Sequence, residues 1–266
     1  MKYAFMTFST PELTIDQTLD AAVKFGYDGL EIRVDAKHKH GLETDSNKSL
    51  RQAARKKAQD KEIRICCIAT SCRFALVDEE AENAENARKA IELAADLDAP
   101  CIRVFGGQIP RDKTREESID DVVRTLGNVA GFASDHNVII CFETHDAWCD
   151  PNHVAAVIQG CNHPNVRVNC DIMHPVRMGL ATMDETFDIL GEWISHVHFH
   201  DGCFPEKKIN MCPVGTGEID HRTAVKRLLD LNYQGFLSGE WINWEPWEEH
   251  LPRELAVMKQ YESGIK

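Results

Sequence analysis

The stretch ISHVHFHDG, residues 194–202, places His196, His198 and His200 at alternate positions, with Val197 and Phe199 between them and Asp201 at the end. In a β-strand, residues two apart point the same way, so one face of this segment is apolar and the other carries imidazoles. Three other short apolar runs each lead to a carboxylate: VIICFET to Glu143, VRVNCD to Asp171 and GFLSGE to Glu240. Three carboxylates and an imidazole form a ligand set suited to one divalent ion, Mn²⁺, Mg²⁺ or Co²⁺, with Zn²⁺ also accommodated. The competing arrangement is a buried ion-pair network in which Arg33, Arg103 and Arg167 balance the carboxylates. That network leaves the histidines without a task.

These residues need elements that bring them together. Strand-like runs alternate with longer amphipathic runs along the whole chain: KYAFMTF, DGLEIRV, IRICCIAT, CIRVFG, VIICFET, VRVNCD, ISHVHFH and GFLSGE are the strand candidates. Helical stretches between them include TIDQTLDAAVKFG, with start signals at Thr14 and Asp16 and a stop at Gly26, and TREESIDDVVRTLGNVAGFASDH. Strands alternating with helices imply right-handed βαβ units and a parallel sheet. Eight units in 266 residues average about 33 each, which fits an α/β fold of the (β/α)8 TIM barrel type in a single domain over residues 1–266. A doubly wound sheet would carry a glycine-rich turn after the first strand. That place reads TFSTPELT. GTGEID, residues 215–220, is expected to be a turn before a helix.

Strand parity locates the polar groups. Leu30, Ile32 and Val34 oppose Glu31, Arg33 and Asp35; Ile140 and Phe142 oppose Cys141 and Glu143; Val168 and Cys170 oppose Asn169 and Asp171. The consistent solution turns the apolar faces toward the helices and the polar faces into the barrel. A charge in a closed interior costs several kcal/mol unless it is paired or bound to metal, and barrels of this kind carry their sites at the C-terminal ends of the strands. Glu143, Asp171, His198 and Glu240 all fall there. His145, two residues beyond Glu143, has the parity to line a pocket, and His200 shares the face of His198. His196 lies deeper and reads as a hydrogen-bonded core histidine. Arg33, Arg73, Arg103 and Arg177 are cations able to grip a phosphate or carboxylate, or to serve as ordinary ion-pair partners. WINWEPWEEH, residues 241–250, sets three tryptophans after the last strand, as pocket wall, subunit contact or core.

Composition narrows the function. The net charge of −13 disfavours nucleic acid as a partner. Ten scattered cysteines without a CxxC pair fit reduced thiols and a cytoplasmic location better than a zinc knuckle or disulfide framework. The N-terminus lacks the pattern of a signal peptide, and no apolar run approaches the ~20 residues of a membrane span.

FETH, DIMH, HVHFHD, GTGEID and SGE, in this order and spacing, resemble the xylose isomerase-like barrel superfamily, which includes sugar and sugar-phosphate isomerases and epimerases, inosose dehydratase, hydroxypyruvate isomerase and endonuclease IV. The resemblance implies metal ligands at Glu143, Asp171, His198 and Glu240, and contact of His174 with metal or substrate. RVDAKHKHGLE and ATSCRF look like a branch of this superfamily labelled only as isomerases or epimerases, which implies that His38, His40 and Arg73 reach over the barrel mouth. The implied activity is metal-dependent isomerisation or epimerisation of a sugar or sugar derivative. It would proceed by proton abstraction next to a carbonyl and a metal-stabilised enediolate, with Glu143 and Glu240 as the acid–base pair. A dehydratase-like lyase shares that first step, and a catalytically silent sugar-binding barrel is the non-enzymatic alternative. The substrate-contacting set expected on these grounds is His174, His145, His38, His40, Arg73, Arg103 and His200; a homo-oligomer is compatible with the sequence. One departure stands out. Ketose 3-epimerases of this group carry an arginine shortly after the strand-seven histidine, whereas this chain reads HDGCFPEKK, with Lys207 and Lys208 as the nearest cations. Endonuclease IV is disfavoured by the acidic charge.

Overall fold

Each of the eight apolar runs forms a parallel strand in the computed structural model, which describes residues 1–265. They are β1 (Lys2–Met6), β2 (Gly29–Arg33), β3 (Arg64–Arg73), β4 (Cys101–Phe105), β5 (Ile139–Glu143), β6 (Val166–Asp171) and β7 (Ile194–Phe199), then, after a hairpin of β8 (Asp201–Cys203) and β9 (Asn210–Cys212), β10 (Phe236–Gly239). Neighbours in sequence are neighbours in space, and β10 closes the ring against β1. The helices are α1 (Ile15–Phe25), α2 (Lys48–Asp60), α3 (Glu80–Leu97), α4 (Arg115–Asp135), α5 (Pro151–Cys161), the single turn α6 (His174–Arg177), α7 (Met183–Leu190), α8 (His221–Asp230) and α9 (Trp247–Ile265). This is a (β/α)8 TIM barrel.

Local chemistry sets the helix ends. Thr14 and Gln17 form a reciprocal capping box at the start of α1, and Gly26 ends it in the left-handed conformation at φ 80°. Thr114 with Glu117 and Thr182 with Glu185 repeat the box at α4 and α7. The outward strand residues, among them Ile32, Ile102, Val104, Ile140, Val168, Val197 and Phe199, are buried in one core with the inner faces of the helices. A smaller apolar cluster of Ala4, Cys66, Cys67, Cys101, Cys141 and Phe236 closes the interior toward the N-terminal ends of the strands. Burial of thiols in apolar surroundings keeps the Cys66, Cys67 and Cys141 pKa values well above the usual thiol range. Among the described residues all ten cysteines are free, and no helix is long and apolar enough to cross a membrane.

Two register shifts sit beside the site. Leu30 pairs with Ile65 but Glu31 with Cys67, and Val168 pairs with Ile194 but Asn169 with His196. Each leaves one extra residue on the longer side, the usual way a strand re-aims side chains near a site. The antiparallel hairpin of β8 and β9 was not expected from the sequence, because CFPEKKINMC shows no strand-like alternation. It is anchored from below by Asp201. Both carboxylate oxygens of Asp201 accept backbone hydrogen bonds, from Gly202 (2.8 Å) and Ile219 (3.2 Å) on Oδ1 and from Gly215 (2.8 Å) and Gly217 (3.1 Å) on Oδ2. The GTGEID turn is therefore built around a buried aspartate. A Cβ on Gly217 would lie 2.2 Å from Asp201 Oδ1, so that position requires glycine.

Candidate metal centre and substrate pocket

Strands β5, β6, β7 and β10 deliver Glu143, Asp171, His198 and Glu240 to one point. Each offers a ligand atom within 4.8 Å of the others, and all four residues are buried. His198 is the hub. Its Nδ1 lies 2.9 Å from Glu143 Oε1 and 3.2 Å from Glu240 Oε2, and its Nε2 lies 3.1 Å from both oxygens of Glu31. Burial disfavours a charged imidazole, but the three carboxylates Glu31, Glu143 and Glu240 outweigh it and raise the His198 pKa well above the ordinary histidine range. The reciprocal effect acts on the acids. Burial raises Glu240, but His198 above all brings it down to about 2. Asp171 is likewise depressed against its burial, by His174, His200 and His198.

Arg103 on β4 supports the set from the side. It is 1% exposed, its Nε stands 3.2 Å from Glu143 Oε2, and its Nη1 donates to the Thr70 carbonyl at 2.8 Å. The ion pair lacks hydrogen-bond alignment, so Glu143 Oε2 is a fully buried acceptor without a donor. Four carboxylates (Glu31, Glu143, Asp171 and Glu240) thus converge around one arginine and a histidine that takes on a proton. An under-neutralised cluster of oxygen donors with one imidazole, one of its oxygens unsatisfied, fits a hard or borderline divalent cation.

Above the tetrad, Asp171 also holds His200 (Nε2 to Oδ2, 2.9 Å) and His174 (Nε2 to Oδ2, 3.6 Å), and these three form a second group able to hold an ion. The His145 ring meets His174 edge-on at 4.5 Å. His145, His174, His200 and Glu240 form the floor of a cavity of about 580 Å³, large enough for a monosaccharide. Its walls come from Ile209, Asn210 and Met211 of the hairpin region and from Ile242, Asn243 and Trp244 after β10. Among the described lining residues there is no lysine or arginine. Burial drops the His174 pKa to about 4, with His145 and His200 adding to the fall, so this wall residue is a neutral hydrogen-bonding group.

The other expected contacts are not brought to this cavity. His40 is buried, accepts a hydrogen bond from the Leu42 amide on Nδ1 (3.0 Å) and lies 3.4 Å from Thr7 Oγ1. His38 packs edge-on against Phe8 and His40. Arg73 is half exposed and paired with Glu79 at 3.1 Å. Arg103 is sealed below the mouth, and Arg177 donates to the Lys207 carbonyl. The three tryptophans have separate tasks. Trp241 packs on Phe199 and is 1% exposed, Trp244 walls the cavity, and Trp247 stacks toward Phe25. Sequence reasoning assigned no task to Glu31 and Asn169, although both were on the polar strand faces, and it had no signal for the hairpin residues.

The family model described as xylose isomerase-like TIM barrel matches residues 19–261, and the chain belongs to that family. Solved structures agree in fold along the full length. A probable 3-DHS dehydratase, AsbF, from Bacillus anthracis is 21% identical with a TM-score of 0.82, covering 97% of this chain and 99% of that one. An L-ribulose 3-epimerase is 16% identical with a TM-score of 0.82, covering 100% and 96%. A D-allulose 3-epimerase from Methylomonas sp., in complex with D-allulose, is 17% identical with a TM-score of 0.79, covering 98% and 97%. No curated protein matches the sequence significantly.

Proposed function

We propose that the protein is a divalent-metal-dependent epimerase or isomerase of an uncharged, sugar-like hydroxy-ketone, with Glu143, Asp171, His198 and Glu240 as metal ligands. The carrying observation is the placement of Glu143 and Glu240. Glu143 ends β5 and Glu240 directly follows β10, the two strands being separated by β6 and β7, and both approach the same nitrogen of His198. Two carboxylates spaced around one centre can serve opposite faces of a bound carbonyl compound. A divalent ion held by the four residues would supply Lewis-acid polarisation of the substrate carbonyl.

The chain supplies the rest. Glu240 borders the cavity, where its carboxylate is placed to accept the proton next to the carbonyl. Arg103 fixes Glu143 on the other face, where its conjugate acid, loaded with a proton from water, returns one to the enediolate while Glu240 keeps the proton it removed and later releases it to water. Return to the same carbon inverts it; return to the neighbouring carbon exchanges ketose and aldose. His145, His174 and His200 offer hydrogen bonds to hydroxyls, while Trp244, Ile242 and Met211 cover carbon surface and keep bulk water from the reacting carbon. A lining without lysine or arginine suits an uncharged substrate better than a phosphate or carboxylate ester. The structural neighbours named as epimerases of ribulose and allulose support the same class.

The test is a panel of neutral hydroxy-ketones incubated with metal-loaded protein in deuterated water and followed by NMR. At least one should exchange its α-proton and give an epimer or isomer. Glu143→Gln and Glu240→Gln should each slow exchange about 10²–10⁴-fold. Exchange accompanied by loss of water and an enone absorbance would move the protein to the lyases. Ligand binding without exchange by the wild type would identify a binding barrel.

A further inference from the structure

One layer below the four proposed ligands, Glu31 and His196 are fully buried and have no part in the reaction above. Glu31 sits on β2 and reaches across the barrel to β7. Its Oε2 accepts from His196 Nε2 at 2.9 Å, and both its oxygens lie 3.1 Å from His198 Nε2. The other nitrogen of His198 looks the opposite way, toward Glu143 and Glu240 at 2.9 and 3.2 Å. An ionised carboxylate has acceptors only, so each Nε2 facing Glu31 carries the hydrogen. His198 Nδ1 also faces carboxylates and carries a hydrogen in the metal-free protein, but those carboxylates are the proposed ligands: a cation held among them would displace that hydrogen and take the Nδ1 lone pair, whereas Glu31 keeps the one on Nε2. Asn169 Nδ2 lies 3.1 Å from Nδ1 and 3.4 Å from Nε2, so it spans the ring and does not discriminate between the two nitrogens.

We infer that Glu31 is a positioning residue that commits His198 to ligate a divalent cation through Nδ1, with His196 as the brace that keeps the Glu31 carboxylate aimed. This rests on the reading of the tetrad as a metal centre. The physical reason is general. A ligating imidazole donates its remote N–H to a carboxylate or carbonyl, which fixes ring and tautomer and makes the metal-facing nitrogen more basic. Here one carboxylate gathers two imidazoles from a single strand.

The first measurement uses the wild-type protein, labelled with ¹⁵N-histidine and loaded with Zn²⁺ as a diamagnetic probe. Long-range ¹H–¹⁵N correlation spectra should show His198 protonated at Nε2 and metal-bound at Nδ1. A metal-bound Nε2 overturns the inference while leaving the metal centre standing. The second is competition of Mn²⁺ against a chelating indicator. Glu31→Gln should weaken Mn²⁺ about 10–100-fold, and Glu31→Asp and His196→Gln should weaken it less, with apo melting curves showing that each variant is folded. A folded Glu31→Gln with wild-type affinity overturns the inference, as does a second tight ion that is lost with Glu31. If wild type takes up no metal, or if uptake is indifferent to Glu143→Gln, the metal centre itself falls and this inference falls with it.

Discussion

His40 shows how a single side chain can set a pH limit. Its Nδ1 accepts the Leu42 amide, so protonation there would break a buried hydrogen bond. Burial, with His38 adding to it, lowers its pKa to about 4. Below about pH 6.5 an unfolded histidine takes up a proton that the native His40 refuses. The unfolded state then binds more protons, so stability falls as pH drops from about 6.5 to 4. The full effect is about 3 kcal/mol below pH 4. His40→Gln should flatten this part of the acid limb in urea titrations between pH 4 and 7; an unchanged slope would count against the assignment. At the same scale, the four proposed ligands were legible because each breaks the apolar pattern of a parallel strand. Glu31 breaks it in the same way, but nothing in one chain's sequence says which of two inward carboxylates stands above the other in the barrel. That order comes from the register of the closed ring.

Among the elements, the hairpin of β8 and β9 depends on Asp201. One carboxylate accepting four backbone N–H groups is a strong local anchor, since hydrogen bonds to charged groups contribute about 1.5–3 kcal/mol each. Asp201→Ala should cost about 3 kcal/mol or more and should raise hydrogen exchange first at residues 202 and 215–219. Uniform loss of protection across the barrel would show that the anchor is not local. The eight barrel strands could be read from the sequence because each is a run rich in apolar residues, and the ends of α1 because Thr14 and Gly26 are local start and stop signals. The hairpin could not. Its two three-residue strands are held by Asp201 and by the antiparallel pairing Asp201↔Cys212, contacts that leave no periodic trace. For His38, His40 and Arg73, the resemblance implied a place over the mouth, whereas their partners (Phe8 and His40, Thr7 and Leu42, and Glu79) come from packing that the sequence does not show.

For the whole molecule, four buried carboxylates share one arginine with His198 and His200, whose pKa values they raise, so a divalent ion would compete with protons for this cluster. An ion bound only by the native state adds stability by mass action, about 2.7 kcal/mol at 100 times its Kd. For a chain of this size that corresponds to roughly 5–10 °C in Tm. Stripping with EDTA should lower Tm by that amount, and re-addition of Mn²⁺ should restore it. Glu143→Gln should abolish the difference between loaded and stripped protein. Equal melting of stripped and loaded wild type at saturating ion would contradict a native-state site.

The barrel also separates its tasks by chain segment. The acid groups stand on rigid strands, whereas Ile209, Asn210 and Met211 reach the cavity from an appendage clamped by one aspartate. That appendage is a cassette. Under the proposed function, exchanging residues 203–214 for the equivalent stretch of a sister barrel, with Asp201 and the glycine turn kept, should change which hydroxy-ketone is preferred while α-proton exchange in deuterated water persists.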